Sequence, residues 1–212
     1  LSDVEERNAP EHLYMMGDPK LLRGGLRICV IGTRKPTAEG KSNATAFSEF
    51  LARNGVIVVS GLAMGVDTIA HTTAIKCGGK TVAVLGTPLD QASPVSNRPL
   101  QETIGREHLL VSQFPMGSKV TPGNFPARNR TMALLSEGTI IVEAGETSGT
   151  AHKGWEALRL GRPLFILEPV VRAGHEWVDK MLDYGAYVLS SPDELYEVLP
   201  IRIRVDDDAP AF

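Results

Sequence analysis

Leu26-Arg27-Ile28-Cys29-Val30-Ile31, followed at once by Gly32-Thr33-Arg34-Lys35-Pro36, sets the pattern for the rest of the chain. A short β-branched run stops at a glycine turn, and a helical pattern then extends from about Ala38 to Asn54. The pattern recurs. Val56 to Val59 leads into Ser60-Gly61 and a helical stretch from about Met64 to Lys76, and Thr81 to Leu85 stops at Gly86. Leu109 to Val111 is weaker. Thr139 to Val142 follows a helical Asn129 to Ser136, and Pro163 to Leu167 is the last clear run. These runs are continuous rather than alternating, as expected for strands buried on both faces of a parallel sheet. The spacing suits right-handed βαβ crossovers. The chain therefore reads as α/β, a doubly wound, mostly parallel sheet in a single domain.

The ends read differently. Residues 1–25 carry Pro10, Pro19 and Gly24-Gly25 and are expected to form a short helix or arm, with the core over 26–200 and an acidic tail over 201–212. Ser191 to Leu199 has the capping pattern of a closing helix. With 42% hydrophobic and 22% charged residues among 212, the chain has the balance of a globular protein. No apolar run approaches the roughly 20 residues of a membrane span, so no membrane association is expected. Leu1 to Lys20 is charged and interrupted by proline, so no signal peptide is expected there. Cys29 and Cys77 read as buried thiols of a reducing compartment, hence a cytoplasmic location. Neither a metal site nor a cofactor is expected, since the cysteines and histidines lack ligand spacing and the glycines miss the dinucleotide pattern. A net charge of −3 argues against a protein that coats nucleic acid by bulk charge.

In such sheets ligands bind outside the carboxyl ends of the strands. Four small-residue turns fall there: Gly32-Thr33-Arg34, Ser60-Gly61 through Gly65, Gly86-Thr87, and Gly145 through Ser148-Gly149-Thr150. Glycine turns that open helices are suited to phosphate. Arg34 and Lys35 add charge directly, and the stretch from His108 to Ser136 has no acid but holds Lys119, Arg128 and Arg130. Within Asn124-Phe125-Pro126-Ala127-Arg128-Asn129-Arg130 the arginines suit backbone phosphates, the asparagines suit sugar or base edges, and Phe125 or Phe114 suits base stacking. Competing readings are core packing for the phenylalanines, and a cap or an ion pair with Glu143 or Glu146 for the arginines. Asp67 and His71, four apart on one helix, read better as a dipole-favouring acid and its packed partner than as an acid–base pair. Ser60, Ser112 and Ser148 lack a nucleophile-elbow pattern, so no catalytic residue is assigned.

Taken in order, Gly32-Thr33-Arg34, Ser60-Gly61-Leu62-Ala63-Met64-Gly65-Val66-Asp67, Val84-Leu85-Gly86-Thr87-Pro88, Ser112-Gln113-Phe114-Pro115 and Asn124-Phe125-Pro126-Ala127-Arg128-Asn129-Arg130 resemble the motif series of the DNA-processing protein A (DprA/Smf) family. The resemblance covers about Leu26 to Leu167. It implies an extended Rossmann-like fold, single-stranded DNA as partner, a RecA-type recombinase as a further partner, and a homodimer. It implies contact roles for Arg34, Ser60, Gly61, Gly65, Asn124, Arg128 and Arg130. Family members often carry a helical domain before the core and a winged-helix domain after it, and this chain is expected to have room for neither. Ser148-Gly149-Thr150 through Glu156 is also loosely similar to the Gly-Gly-x-Gly-Thr-x-x-Glu motif of nucleotide phosphoribohydrolases (the lonely guy and lysine-decarboxylase-like group). That similarity implies a second reading, a nucleotide-binding enzyme or sensor in which Glu156 moves a proton.

Overall fold

A computed structural model describes residues 3–146 and 149–199. Among them the strands are β1 (Tyr14–Gly17), β2 (Arg27–Gly32), β3 (Ile57–Ser60), β4 (Thr81–Leu85), β5 (Leu109–Ser112), β6 (Gly138–Glu143), β7 (Leu164–Leu167) and β8 (Tyr187–Leu189). They form one sheet in the order β1-β5-β4-β3-β2-β6-β7-β8. Every pair is parallel except β1 with β5. The chain steps outward from β2 through β3, β4 and β5, then returns to lay β6 on the other side of β2. The strand order therefore reverses at β2/β6, where a doubly wound sheet opens its ligand crevice.

The continuous apolar runs are explained by burial on both faces. In β2, Ile28 and Val30 pack on one side and Cys29 and Ile31 on the other. The first side is covered by α2 (Ala38–Arg53) and α3 (Val66–Lys76), through Phe47, Leu51, Val66 and Ala70. The second is covered by α5 (Asn124–Leu134), α6 (Gly149–Arg159) and α8 (Glu176–Asp183), through Met132, Ala157, Val178 and Met181. Burial pushes the Cys29 thiol up to about 12, and both cysteines are free. Among the described residues no helix is long and apolar enough to cross a membrane.

Several elements differ from the sequence reading. β1 and β8 are short edge strands with exposed residues, Tyr14 to Gly17 along β1 and Tyr187 and Val188 in β8, so they lack the buried pattern that betrays a strand. The helix expected from Asn129 begins five residues earlier, at Asn124, with Pro126 in its first turn. Proline is tolerated there because that N–H has no acceptor inside the helix. The lead-in holds α1 (Asp3–Asn8), tied to the core by an ion pair between Glu5 and Arg162. The tail beyond Leu199 lies outside the described residues.

Candidate nucleic-acid interface

The turn after β2 is built from contacts that leave no space for side chains. Thr33 N donates to the Glu143 carbonyl at 2.8 Å, joining the ends of β2 and β6. A Cβ on Gly32 would stand 2.5 Å from Val66 Cγ2, and one on Gly65 would collide with the Thr33 carbonyl. Gly65 has φ +77°, the left-handed region open to glycine, and Val66 N donates to Thr33 O at 3.2 Å. The Thr33 hydroxyl accepts from Lys35 N at 3.2 Å, and Thr37 caps α2 by accepting from Gly40 N at 3.0 Å. The backbone is thus held at Thr33, Lys35 and Thr37, while the Arg34 and Lys35 side chains are exposed. Neither makes an ion pair or side-chain hydrogen bond among the described residues.

The arginines of α5 are disposed otherwise. Arg128 is buried; its Nη1 donates to the Gly61 carbonyl at 2.6 Å and to the Val84 carbonyl at 2.9 Å, and its Nε to Asn129 Oδ1 at 3.1 Å. It closes the carboxyl ends of β3 and β4. Burial lowers its pKa and Asp67 opposes that shift, but a guanidinium stays charged. Gly61 is small because Arg128 occupies the place of its side chain, and a Cβ on Gly86 would stand 2.7 Å from Phe125 Cδ1. Arg130 donates through Nε to Glu156 Oε2 at 3.1 Å, and the other Glu156 oxygen faces Arg159 at 3.5 Å. The partner of Arg130 is therefore Glu156 rather than Glu143 or Glu146. Asn124 accepts at Oδ1 from the Thr121 hydroxyl at 2.7 Å, while its buried Nδ2 has no partner among the described residues. Ser60 is fully buried and donates to the Val30 carbonyl at 2.7 Å.

A cavity of about 910 Å³ lies above β2/β6. Gly32, Thr33, Arg34 and Lys35 form one wall, and Phe125, Pro126, Arg128 and Asn129 of α5 form another. Gly149, Thr150, Lys153 and Glu156 of α6 form a third. Of the residues read as phosphate-binding, the structure thus brings Gly32, Thr33, Arg34, Lys35, Arg128, Gly149 and Thr150 onto one cavity. Ser60, Gly61, Gly65, Asn124 and Arg130 stand behind or beside its wall, and Ser148 lies outside the described residues. Phe125 lines the cavity and Phe114 does not; Lys119 is exposed.

Sequence reasoning missed Lys153. Its side chain is only 12% exposed, and Nζ stands 3.6 Å from Asp67 Oδ2 with no hydrogen bond among the described residues. Burial lowers its pKa, Asp67 opposes the shift, and Arg128 adds to it. No local signal pairs positions 67 and 153, because the contact exists only once α3 and α6 flank the same crevice. Asp67 is also the acceptor for Ala63 N at 3.3 Å. His71 makes no hydrogen bond to it among the described residues: Nδ1 lies 2.7 Å from the Thr81 hydroxyl, and burial pushes the ring down to about 4 against the opposing charge of Asp67.

The fold is thus a doubly wound α/β domain whose cavity at the switch point is lined by Arg34, Lys35, Arg128 and Lys153. The chain belongs to the family described as DNA recombination-mediator protein A, whose profile matches residues 1–200. The family resemblance and the fold expected from the sequence are both borne out. DNA processing protein DprA of Bacillus subtilis is 35% identical over 91% of this chain, which spans 65% of that relative. Protein Smf of Synechocystis is 38% identical over 88% of this chain, which spans 48% of that relative. Among solved structures, DprA of Streptococcus pneumoniae superposes with TM-score 0.82 at 30% identity, covering 95% of this chain and 73% of that one. DprA of Helicobacter pylori, whose structure concerns its single-stranded DNA binding mode, superposes with TM-score 0.80 at 32% identity, covering 93% and 88%. A molybdenum cofactor binding protein of Rippkaea orientalis shares the fold at TM-score 0.60 and 20% identity.

Proposed function

We propose that the cavity above β2/β6 binds single-stranded DNA, holding one nucleotide inside and the flanking phosphates at its rim. The observation that carries this reading is the pair Arg34–Lys35, two cations without protein partners on a rigid turn, at the mouth of a cavity already lined by Arg128 and Lys153. A cation without a counterion gains more from a phosphate than one already paired. The half-buried ring of Phe125 offers a stacking surface that only an unpaired base can reach. Membership of a recombination-mediator family supports DNA as the source of those phosphates.

The same reading places the protein in DNA processing, uptake or recombination in the cytoplasm, with a RecA-type recombinase as partner and a homodimer as the working form. The recombinase and the homodimer rest on the family likeness, and the cytoplasmic location on the free thiols of Cys29 and Cys77. The reading is tested by anisotropy with labelled oligo-thymidylate and with duplex of equal length as salt rises. Single strands should bind tighter, with log affinity falling by about 0.7 per phosphate contact for each decade of salt. Equal affinity for duplex and single strand would sink it. The nucleotide-enzyme reading has less support, because both oxygens of Glu156 are engaged by Arg130 and Arg159.

A further inference from the structure

A second hollow opens on the far side of Arg34 and Lys35. It measures about 520 Å³ and lies between the start of α2 and the start of α3. Arg34 and Lys35 line both hollows, so the two share one wall of free cations. The floor is the Met64-Gly65 turn that opens α3, and Lys41 of α2 forms the opposite side. Its lining contains no acidic residue, although the chain as a whole carries more acids than bases. Lys41 is exposed and, like Arg34 and Lys35, makes no ion pair among the described residues. Met64 is 45% exposed at the floor.

Two features of this hollow have no use in the fold. A methionine left nearly half exposed on a turn spends much of its apolar surface on solvent, and its polarizable thioether is a favourable surface for an aromatic ring. Three unpaired cations along one acid-free groove repel each other unless an anion lies between them. A polyanion running along the groove would satisfy both features at once, with phosphates beside the cations and a base over the sulfur. A folded protein partner would need an acidic segment with a flat ring at the same spacing. The DNA strand already proposed for the adjoining cavity has that chemistry and needs only to continue.

We infer that the strand leaves the cavity over Arg34 and Lys35 and lays its next nucleotide in this groove, with a phosphate on Lys41 and a base over Met64. The inference rests on the cavity being a single-strand site. Its consequence is that the binding unit spans two adjoining hollows, so that a mononucleotide can fill only part of the site. A continuous backbone gains the second set of contacts without paying again for lost translational freedom.

The test is a ladder of thymidylates from the mononucleotide to the decamer, titrated into the full chain and into Lys41→Ala, Lys41→Arg, Met64→Ala and Arg34→Ala. Affinity should rise again after the first nucleotide. Lys41→Ala and Met64→Ala should each weaken longer oligomers by roughly three- to tenfold, the order of one phosphate contact or one stacked base, and leave the mononucleotide unchanged. Lys41→Arg should bind as the natural chain does. The salt slope of Lys41→Ala should be shallower by about 0.7. The inference is overturned if Lys41→Ala and Met64→Ala bind long oligomers normally while Arg34→Ala does not, an outcome that leaves the cavity reading standing. It is overturned equally if the two variants weaken the mononucleotide as much as the decamer. Failure of every oligomer to bind the natural chain would remove the cavity reading as well.

Discussion

Arg34 and Arg128 line the same cavity, one on the turn after β2 and the other on α5, and they are held in opposite ways. The β2 turn fixes its backbone through Thr33, Gly65 and Glu143 and leaves its side chains free. Helix α5 does the reverse: its arginines are the fixed elements, Arg128 bonded to two strand-end carbonyls and Arg130 to Glu156. Identical charges thus do different work. A buried, fully bonded guanidinium organises the cavity, whereas an unpaired exposed one is available to a ligand.

Arg128→Ala should show the largest effect, and on stability. It leaves the Gly61 and Val84 carbonyls without their donor in a buried setting, which costs roughly 1–3 kcal/mol each, and lowers Tm on the order of 10 °C. A variant that melts like the natural chain but has lost DNA binding would erase the contrast between the two arginines.

Acid titration probes the same buried side. His71 has a depressed folded pKa of about 4 against an ordinary value of 6.5. The unfolded chain therefore takes up the proton first. The contribution is fully present above about pH 6.5 and is lost progressively as pH falls through about 4, amounting to about 3 kcal/mol. Denaturant melts of His71→Gln should lose most of that slope between pH 6.5 and 4. An unchanged slope would show that other groups govern it.

Arg34→Ala acts on the exposed side. Single-strand affinity should fall by about 1–3 kcal/mol while stability stays within about 0.5 kcal/mol. A Tm loss comparable to that of Arg128→Ala would mean that the turn depends on this side chain after all. Glu156→Gln should do least. It weakens the partly exposed contacts to Arg130 and Arg159 by no more than about 1 kcal/mol, and leaves DNA binding unchanged or slightly tighter by removing a negative charge near phosphates. Release of free base from a nucleoside monophosphate by the natural chain, abolished in this variant, would instead give Glu156 a chemical task.

Much of the frame was legible in the sequence. Thr81 to Leu85 is strand β4 to the residue, and Ala38 to Asn54 ends one residue beyond α2. A strand buried on both faces must be apolar throughout, so its signal survives without knowledge of the fold. β1 and β8 gave none, because a short edge strand is specified by its neighbour's backbone and not by its own side chains. Helix α4 (Arg98–Glu107) was likewise not anticipated.

The glycine turns mark the boundary between the two kinds of knowledge. Their position at the carboxyl ends of the strands, and the cations beside them, can be read from the chain alone, because glycine and charge are local properties. What each glycine accommodates is not local. Gly32 makes way for Val66, Gly61 for Arg128, Gly65 for the Thr33 carbonyl and Gly86 for Phe125. Each of those neighbours lies in a part of the chain other than the glycine's own element, so the assignment waits on the order of strands in the sheet. The same holds for Lys153, which reaches Asp67 because α6 and α3, on opposite faces of the sheet, both border the cavity at the carboxyl end of β2. Composition and period determined the α/β frame and the edge where a ligand must lie. Only tertiary packing decided which cations are consumed by the fold and which remain for the ligand, since pairing depends on distances through space that sequence separation does not encode.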